Sequence, residues 1–137
     1  MPGATQAAIT GCGESPYSRH PPAGTTTSQV LADAGARALA SAGLDASSLD
    51  GLAVSSFSLA PDHAVDLAWQ LGLRLRWLMQ DTNGGASGIN MLQHAARAVE
   101  AGDARAILVL AGDHLPRERF QDLIDNYNEA TRDHLAP

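Results

Sequence analysis

Gln80-Asp81-Thr82-Asn83-Gly84-Gly85-Ala86-Ser87-Gly88 joins a strand pattern to the helical pattern Ile89 to Ala101. Glycines at this junction let the chain turn sharply out of a strand and begin a helix with its backbone bare. A bare helix start concentrates free N–H groups and the positive end of the helix dipole. Such a place suits a thioester oxygen, a phosphate or a nucleophile. The stretch has no cysteine, and that absence shapes the chemistry open to it.

Outward from the turn, strands and helices alternate. Leu75 to Gln80 reads as the strand before it. The helix after it, Ala86 to Ala101, is expected to turn Ile89, Leu92, Ala96 and Val99 inward and to stop at Gly102. A further strand follows at 106–110 (Ala-Ile-Leu-Val-Leu), apolar on both faces as a buried parallel strand is. Towards the N-terminus, 7–10 (Ala-Ala-Ile-Thr) reads as a first strand, ended by Gly11-Cys12-Gly13. Residues 14–26 are a loop rich in turn formers. Thr27 or Ser28 would cap a helix to Ala42, with Val30, Leu31, Ala34, Ala38, Leu39 and Ala42 on one broad face. Gly43 sits at the left-handed position after it, with Leu44 packing back. A second strand is expected at Leu52–Ser56. After Pro61, a short helix runs from about His63 to Leu71 and ends at Gly72. Strands separated by helices predict right-handed crossovers and a parallel sheet. From Pro116 the sequence turns polar, with Phe120, Leu123, Ile124 and Tyr127 as apolar anchors of a helix leaving the core.

Composition narrows the class. The chain has 137 residues, 45% apolar and 18% charged, as expected of one globular domain. Aromatics are only 4%, so alanine, leucine and valine must fill the core. A formal charge of −6 and the lack of a basic run argue against nucleic acid. All nine cationic residues are arginine, so no lysine is present to form a Schiff base. Cys12 is the only cysteine, which excludes an internal disulfide, and no His/Cys cluster has zinc spacing. No signal-peptide pattern or membrane-length apolar run is seen, so the expected location is cytoplasmic.

Four segments together resemble the N-terminal part of a thiolase-superfamily protein, in the sterol-carrier or lipid-transfer thiolase-like branch. They are Ile9 to Tyr17, then Ala34 to Leu44 with Leu49-Asp50-Gly51, then Asn83 to Gly88, and Ala98 to Asp113. The resemblance covers nearly the whole chain. It implies a thiolase-like α/β fold: a parallel βαβ sheet with helices on both faces, forming part of a layered αβαβα protein of two similar halves. It divides the chain into a core, residues 1–115, and the start of a helical insertion, residues 116–137. It also implies that Leu75–Gln80 is a sheet edge that pairs with its twin in a homodimer. The remaining catalytic motifs would lie in a second half, supplied by further sequence or a second chain. The half's last strand would come after residue 137, leaving the strand at 106–110 as an edge.

In condensing thiolases a nucleophilic cysteine opens the helix after the edge strand, in the order cysteine, small residue, serine, glycine. The matching positions are Gly85, Ala86, Ser87 and Gly88. Without a thiolate, ping-pong acyl transfer by the usual route is closed. Some relatives in this branch act instead as aldol lyases on β-hydroxyacyl-CoA, often beside a small OB-fold partner. The resemblance therefore implies an acyl-CoA substrate lined by Asn83, Gly84, Gly85, Ala86, Ser87 and His114. No catalytic residue, metal or cofactor is assigned beyond the CoA of the substrate, and neither nucleic acid nor membrane is an expected partner.

Each residue also has a plainer reading. The glycine turn serves close packing equally well, and Ser87 reads more readily as a helix cap than as a nucleophile. Cys12 reads as a small buried hydrophobe. His114 ends the last strand, where ligands of parallel sheets gather, but a histidine bonded to nearby backbone is commoner. His94 reads as a satisfied, partly buried helix residue. Asp81 and Asp113 end strands as turn or helix caps. Arg74 and Arg76, on one face of their strand, read as edge charges or as a CoA-phosphate clamp. Trp69 and Trp77 read as core or interface.

Overall fold

A computed structural model describes residues 6–59 and 63–135; Pro61 and the last two residues lie outside them. Three strands carry the apolar runs. β1 (Gly51–Ser55) lies between β2 (Trp77–Gln80) and β3 (Ile107–Ala111), and all run parallel. Gly51 faces Trp77 on one side and Ile107 on the other. That glycine is sterically required, since a Cβ there would stand 2.6 Å from Ile107 Cγ1.

Side chains alternate across the sheet. Leu52, Val54, Leu108 and Leu110 face one side, where α1 (Thr27–Ala42) and α2 (His63–Gln70) bring Leu31, Ala64, Leu67 and Ala68. Ala53 and Val109 point to the other side, where α3 (Ser87–Ala101) packs on β1 and β3. Leu31, Leu52, Leu67 and Met91 are essentially sealed from solvent. Each such burial contributes about 1.5–3 kcal/mol.

Helix ends follow the sequence closely. α1 begins one residue earlier than expected: Thr26, not Thr27 or Ser28, is its cap, in a reciprocal box with Gln29. Gly43 and Gly102 close α1 and α3 in the left-handed conformation, at φ 67° and 80°. The last helix, α4 (Arg117–Leu135), runs through the polar segment with Phe120, Ile124 and Tyr127 half exposed.

Four expectations are corrected. Residues 7–10 form no strand. The following stretch lies along α1 instead, so closely that a Cβ on Gly11 would stand 2.5 Å from the Ala38 carbonyl oxygen, and one on Gly13 2.4 Å from the Ala38 nitrogen. Ser15 Oγ adds a hydrogen bond to the Val30 carbonyl. Cys12, carried on the outside of α1 by this segment, is exposed rather than buried. The inward stripe of α3 is Met91, Ala95 and Ala98, not Ile89, Leu92, Ala96 and Val99; Ile89 is 75% exposed. Both rows have helical spacing, and the small alanines let the helix approach the sheet more closely. Arg74 and Arg76 precede β2 rather than lying in it, and both are exposed.

β2 and β3 are the two edges of the sheet among the described residues. These are the positions the strand order of the resembled family implies for them. Trp69 is 88% exposed and adds nothing to the core.

Candidate functional site

At the end of β2 the chain leaves the sheet through Asp81, whose N–H still donates to the Val54 carbonyl. A single 3₁₀ turn, Gly84–Ala86, follows and leads directly into α3. Gly84 has φ +59°, a left-handed conformation that a side chain would strain. The Phe57 ring lies over it, 3.6 Å from where a Cβ would be, and meets Tyr127 of α4 edge-on with centroids 6.3 Å apart. Gly85 and Gly88 have nothing within 4 Å of a Cβ.

Neither Ala86, at the cap position of α3, nor Asn83, before the 3₁₀ turn, makes a side-chain capping bond. Ser87 is not the cap either. It lies inside the helix, 1% exposed, and its hydroxyl donates to Asp81 Oδ1 at 2.6 Å. Asp81 gathers the whole turn. Its Oδ1 also accepts from the Asn83 N–H at 2.8 Å, and its Oδ2 accepts from the side-chain amides of Asn83 and Asn90. The Ser87 hydroxyl, the Asn83 N–H and the Asn90 amide hold the Asp81 carboxyl down to about 2, as donors to a carboxylate do. Asp81 is therefore ionised at neutral pH, and too weakly basic to take a proton from a substrate hydroxyl efficiently.

The N–H groups of Ala86 and Ser87 donate to the Asn83 and Gly84 carbonyls. Those of Gly84 and Gly85 donate to no partner among the described residues. The helix start is thus pinned through side chains, and its first backbone donors stay open. Among the described residues the Ser87 hydroxyl bonds to Asp81 and to no histidine that could activate it.

His114 stands apart from the turn. Its N–H donates to Thr27 Oγ1 at 2.9 Å, just after β3. Its side chain lines a cavity of about 380 Å³ with Thr25, Ser28, Ser58, Leu59 and Arg119, none of them from residues 83–88. So the six expected substrate residues fall into two groups: Asn83 to Ser87 together at the end of β2, and His114 at the end of β3. An apolar crevice of about 140 Å³ between α1 and the core, lined by Leu39, Leu49, Leu71 and Leu108, is separate from both.

Sequence reasoning did not anticipate the polar knot at the ends of β1 and β3. Asp113 Oδ1 accepts from the Phe57 and Ser58 N–H groups and from the Ser56 and Ser58 hydroxyls. Thr27 joins it through Ser58. These partners lie 55–57 residues from Asp113 in sequence, so no local pattern shows them. Asn90 was also missed, although its spacing from Ser87 places both on one side of α3. His94 is exposed, contrary to expectation. His63 Nδ1 is sealed from solvent and has no hydrogen-bond partner among the described residues. No group of three metal-ligating side chains occurs among the described residues, nor any helix long and apolar enough to cross a membrane.

No protein-family model and no curated protein matches the sequence. Solved structures do. An Ltp2–ChsH2(DUF35) aldolase is 28% identical, with a TM-score of 0.67 over 83% of this chain and 28% of that one. The priming β-ketosynthase of the R1128 polyketide biosynthetic pathway is 31% identical, with a TM-score of 0.57 over 66% of this chain and 28% of its own. A monomeric SCP2-thiolase-like protein type 1 from Mycobacterium smegmatis shares the fold at 20% identity, with a TM-score of 0.60 over 77% of this chain and 23% of its own. The chain therefore spans less than a third of each of these three structures. Its fold is thiolase-like.

Proposed function

We propose that this thiolase-like chain is the N-terminal part of a cysteine-less protein that handles acyl-CoA thioesters, and that the complete assembly cleaves a β-hydroxyacyl-CoA of the steroid or lipid side-chain type by a retro-aldol reaction. The observation that carries this reading is Gly85. By the resemblance it stands where the thiolase nucleophile would, on an open helix start with room for a side chain, yet has none. The similarity to an aldolase at 28% identity supports it.

Retro-aldol cleavage fits these residues because it needs no covalent nucleophile. A base removes the β-hydroxyl proton, the Cα–Cβ bond breaks and a ketone or aldehyde leaves. The electron pair passes to Cα as the thioester enolate, which then takes up a proton. The open N–H groups of Gly84 and Gly85 are suited to the thioester oxygen, where enolate charge develops. Asp81 and Ser87 are occupied with one another, so the base comes from sequence beyond this chain. The same assembly would pair through the exposed edge of β2 and recruit a partner of OB-fold type.

The test is to incubate the assembled protein with a β-hydroxyacyl-CoA. A carbonyl product together with a shortened acyl-CoA is expected. Condensation of acetyl-CoA without any such cleavage would sink the proposal. A non-catalytic acyl-CoA-binding subunit is the second reading, favoured by the lack of a free base beside the turn. Tight binding without turnover in the complete assembly would select it. Ordinary acyl transfer needs a thiolate, and Cys12 is exposed on the segment that runs along α1, away from the glycine turn in sequence. Rapid loss of activity with iodoacetamide in a Cys12→Ser assembly would revive it, by showing a cysteine supplied from another chain.

A further inference from the structure

Three segments wall the cavity of about 380 Å³ beside His114: the hydroxyl-rich stretch 25–28, Ser58 after β1, and His114 with Arg119 after β3. Among the described residues no carboxylate lines it, although the chain carries a formal charge of −6. Asp113 precedes His114, but its Oδ1 is turned to Ser56, Phe57 and Ser58. Thr27 and Ser58 spend their hydroxyls on the fold. Thr27 Oγ1 accepts from the His114 N–H and meets the Ser58 hydroxyl, which also donates to Asp113. These bonds join the three walls and hold the cavity in shape. The Ser28 hydroxyl, the His114 ring and the Arg119 guanidinium are left over: none has a hydrogen-bond partner among the described residues.

The leftover groups share one chemistry. A guanidinium offers a planar fork of donors, and an imidazole and a hydroxyl add one donor each from other directions. A phosphate group presents three acceptor oxygens and a charge close to −2, so it can engage all three at once. A carboxylate has two coplanar oxygens, which the guanidinium alone can occupy. The volume lies in the range of small-molecule sites, larger than one phosphate. Leu59 and Pro116 give the remaining wall an apolar surface. We propose that this cavity binds a phosphate group, with Arg119, His114 and Ser28 donating to its oxygens and Leu59 and Pro116 facing whatever the phosphate is esterified to. The site lies apart from the glycine turn, and the proposal does not depend on the thioester reading.

The 137-residue chain is titrated with inorganic phosphate, propyl phosphate and acetate at constant ionic strength, at about pH 7.5, where a phosphate ester is mostly dianionic. Amide and imidazole NMR shifts report binding. Saturable shifts are expected at 25–28, 58–59 and 114–119 with both phosphates, and acetate should bind at least about tenfold more weakly. Propyl phosphate binding more tightly than inorganic phosphate identifies an ester as the occupant, and equal affinity identifies free phosphate. Arg119→Gln should weaken binding by about tenfold, the worth of one charge-assisted hydrogen bond. His114→Ala and Ser28→Ala should each cost about threefold. Arg97→Gln is the control. It removes the same charge from an exposed position of α3, on the other face of the sheet, and should leave affinity within about twofold. The proposal is overturned if neither phosphate gives saturable shifts at these residues, or if acetate binds as tightly as phosphate. Equal weakening by Arg97→Gln and Arg119→Gln would also overturn it, since general charge attraction would then explain the binding.

Discussion

Asp81 and Asp113 end two strands of one sheet, and each carboxylate accepts four hydrogen bonds. Asp81 spends its bonds on residues two, six and nine positions ahead, inside one turn and one helix start. Asp113 spends them on Ser56, Phe57 and Ser58, more than fifty residues back, and so ties β3 to the loop after β1. The first network shapes a local backbone, leaving donors open. The second closes a long-range contact and takes two backbone donors for itself. Identical chemistry therefore makes a candidate binding turn at one strand end and a fastener at the other. What separates them is reach: the partners of Asp81 lie within nine residues of it, those of Asp113 more than fifty residues away.

The difference can be tested first through the apolar residues beneath each end. Met91, one helical turn after Ser87 in α3, is fully buried, and Leu31 lies 3.4 Å from where a Cβ on Gly112 would stand. Met91→Ala and Leu31→Ala should each cost about 2–5 kcal/mol in urea unfolding. Amide exchange should rise at 83–88 in the first variant and at 56–58 in the second. Equal loosening of both regions in both variants would show one unit rather than two. Asp113→Ala comes next. It removes the acceptor of the Phe57 N–H and leaves the Ser58 N–H only the Ser56 hydroxyl, and about 1–3 kcal/mol should be lost in thermal or urea melts. Phe57 rests on Gly84, so any accompanying change in exchange at the turn would measure how far the two ends communicate.

A smaller effect is expected at Gly84, whose left-handed backbone makes Gly84→Ala cost about 1 kcal/mol, whereas Gly85→Ala should stay within about 0.5 kcal/mol. Comparable losses at both would mean that the turn differs from the one described. The narrowest prediction concerns acid. The Asp81 carboxyl is held at about 2 by donors to its charged form, below its unfolded value. Its contribution is therefore complete above about pH 4 and fades as pH falls through about 2. The stability difference between wild type and Asp81→Asn should shrink over that window and be flat above it. A difference that instead varied around neutrality would contradict the assignment.

The turn was readable because its partners are neighbours in the chain. Asp81, the glycines and Ser87 all fall within eight residues, and glycines between a strand and a helix have few other uses. The burial of Ser87 was not readable, since a serine near a helix start caps it in most settings. Only the position of Asp81 beneath the helix redirects the hydroxyl. The face of α3 was also ambiguous, because Ile89–Leu92–Ala96–Val99 and Met91–Ala95–Ala98 both follow helical spacing. The choice between them depends on how closely a helix can approach Ala53 and Val109.

By itself the sequence established the alternation of strands and helices and the helix ends at Gly43 and Gly102. All of these rest on backbone preferences and side-chain identities that act over a few residues. The tertiary structure decided that residues 7–10 lie outside the sheet, that Cys12 faces outward, and that His114 sits away from the glycine turn. It also joined Asp113 to Ser56 and Ser58. Those outcomes depend on contacts between segments far apart in the chain, whose strength is set by packing that no local pattern encodes.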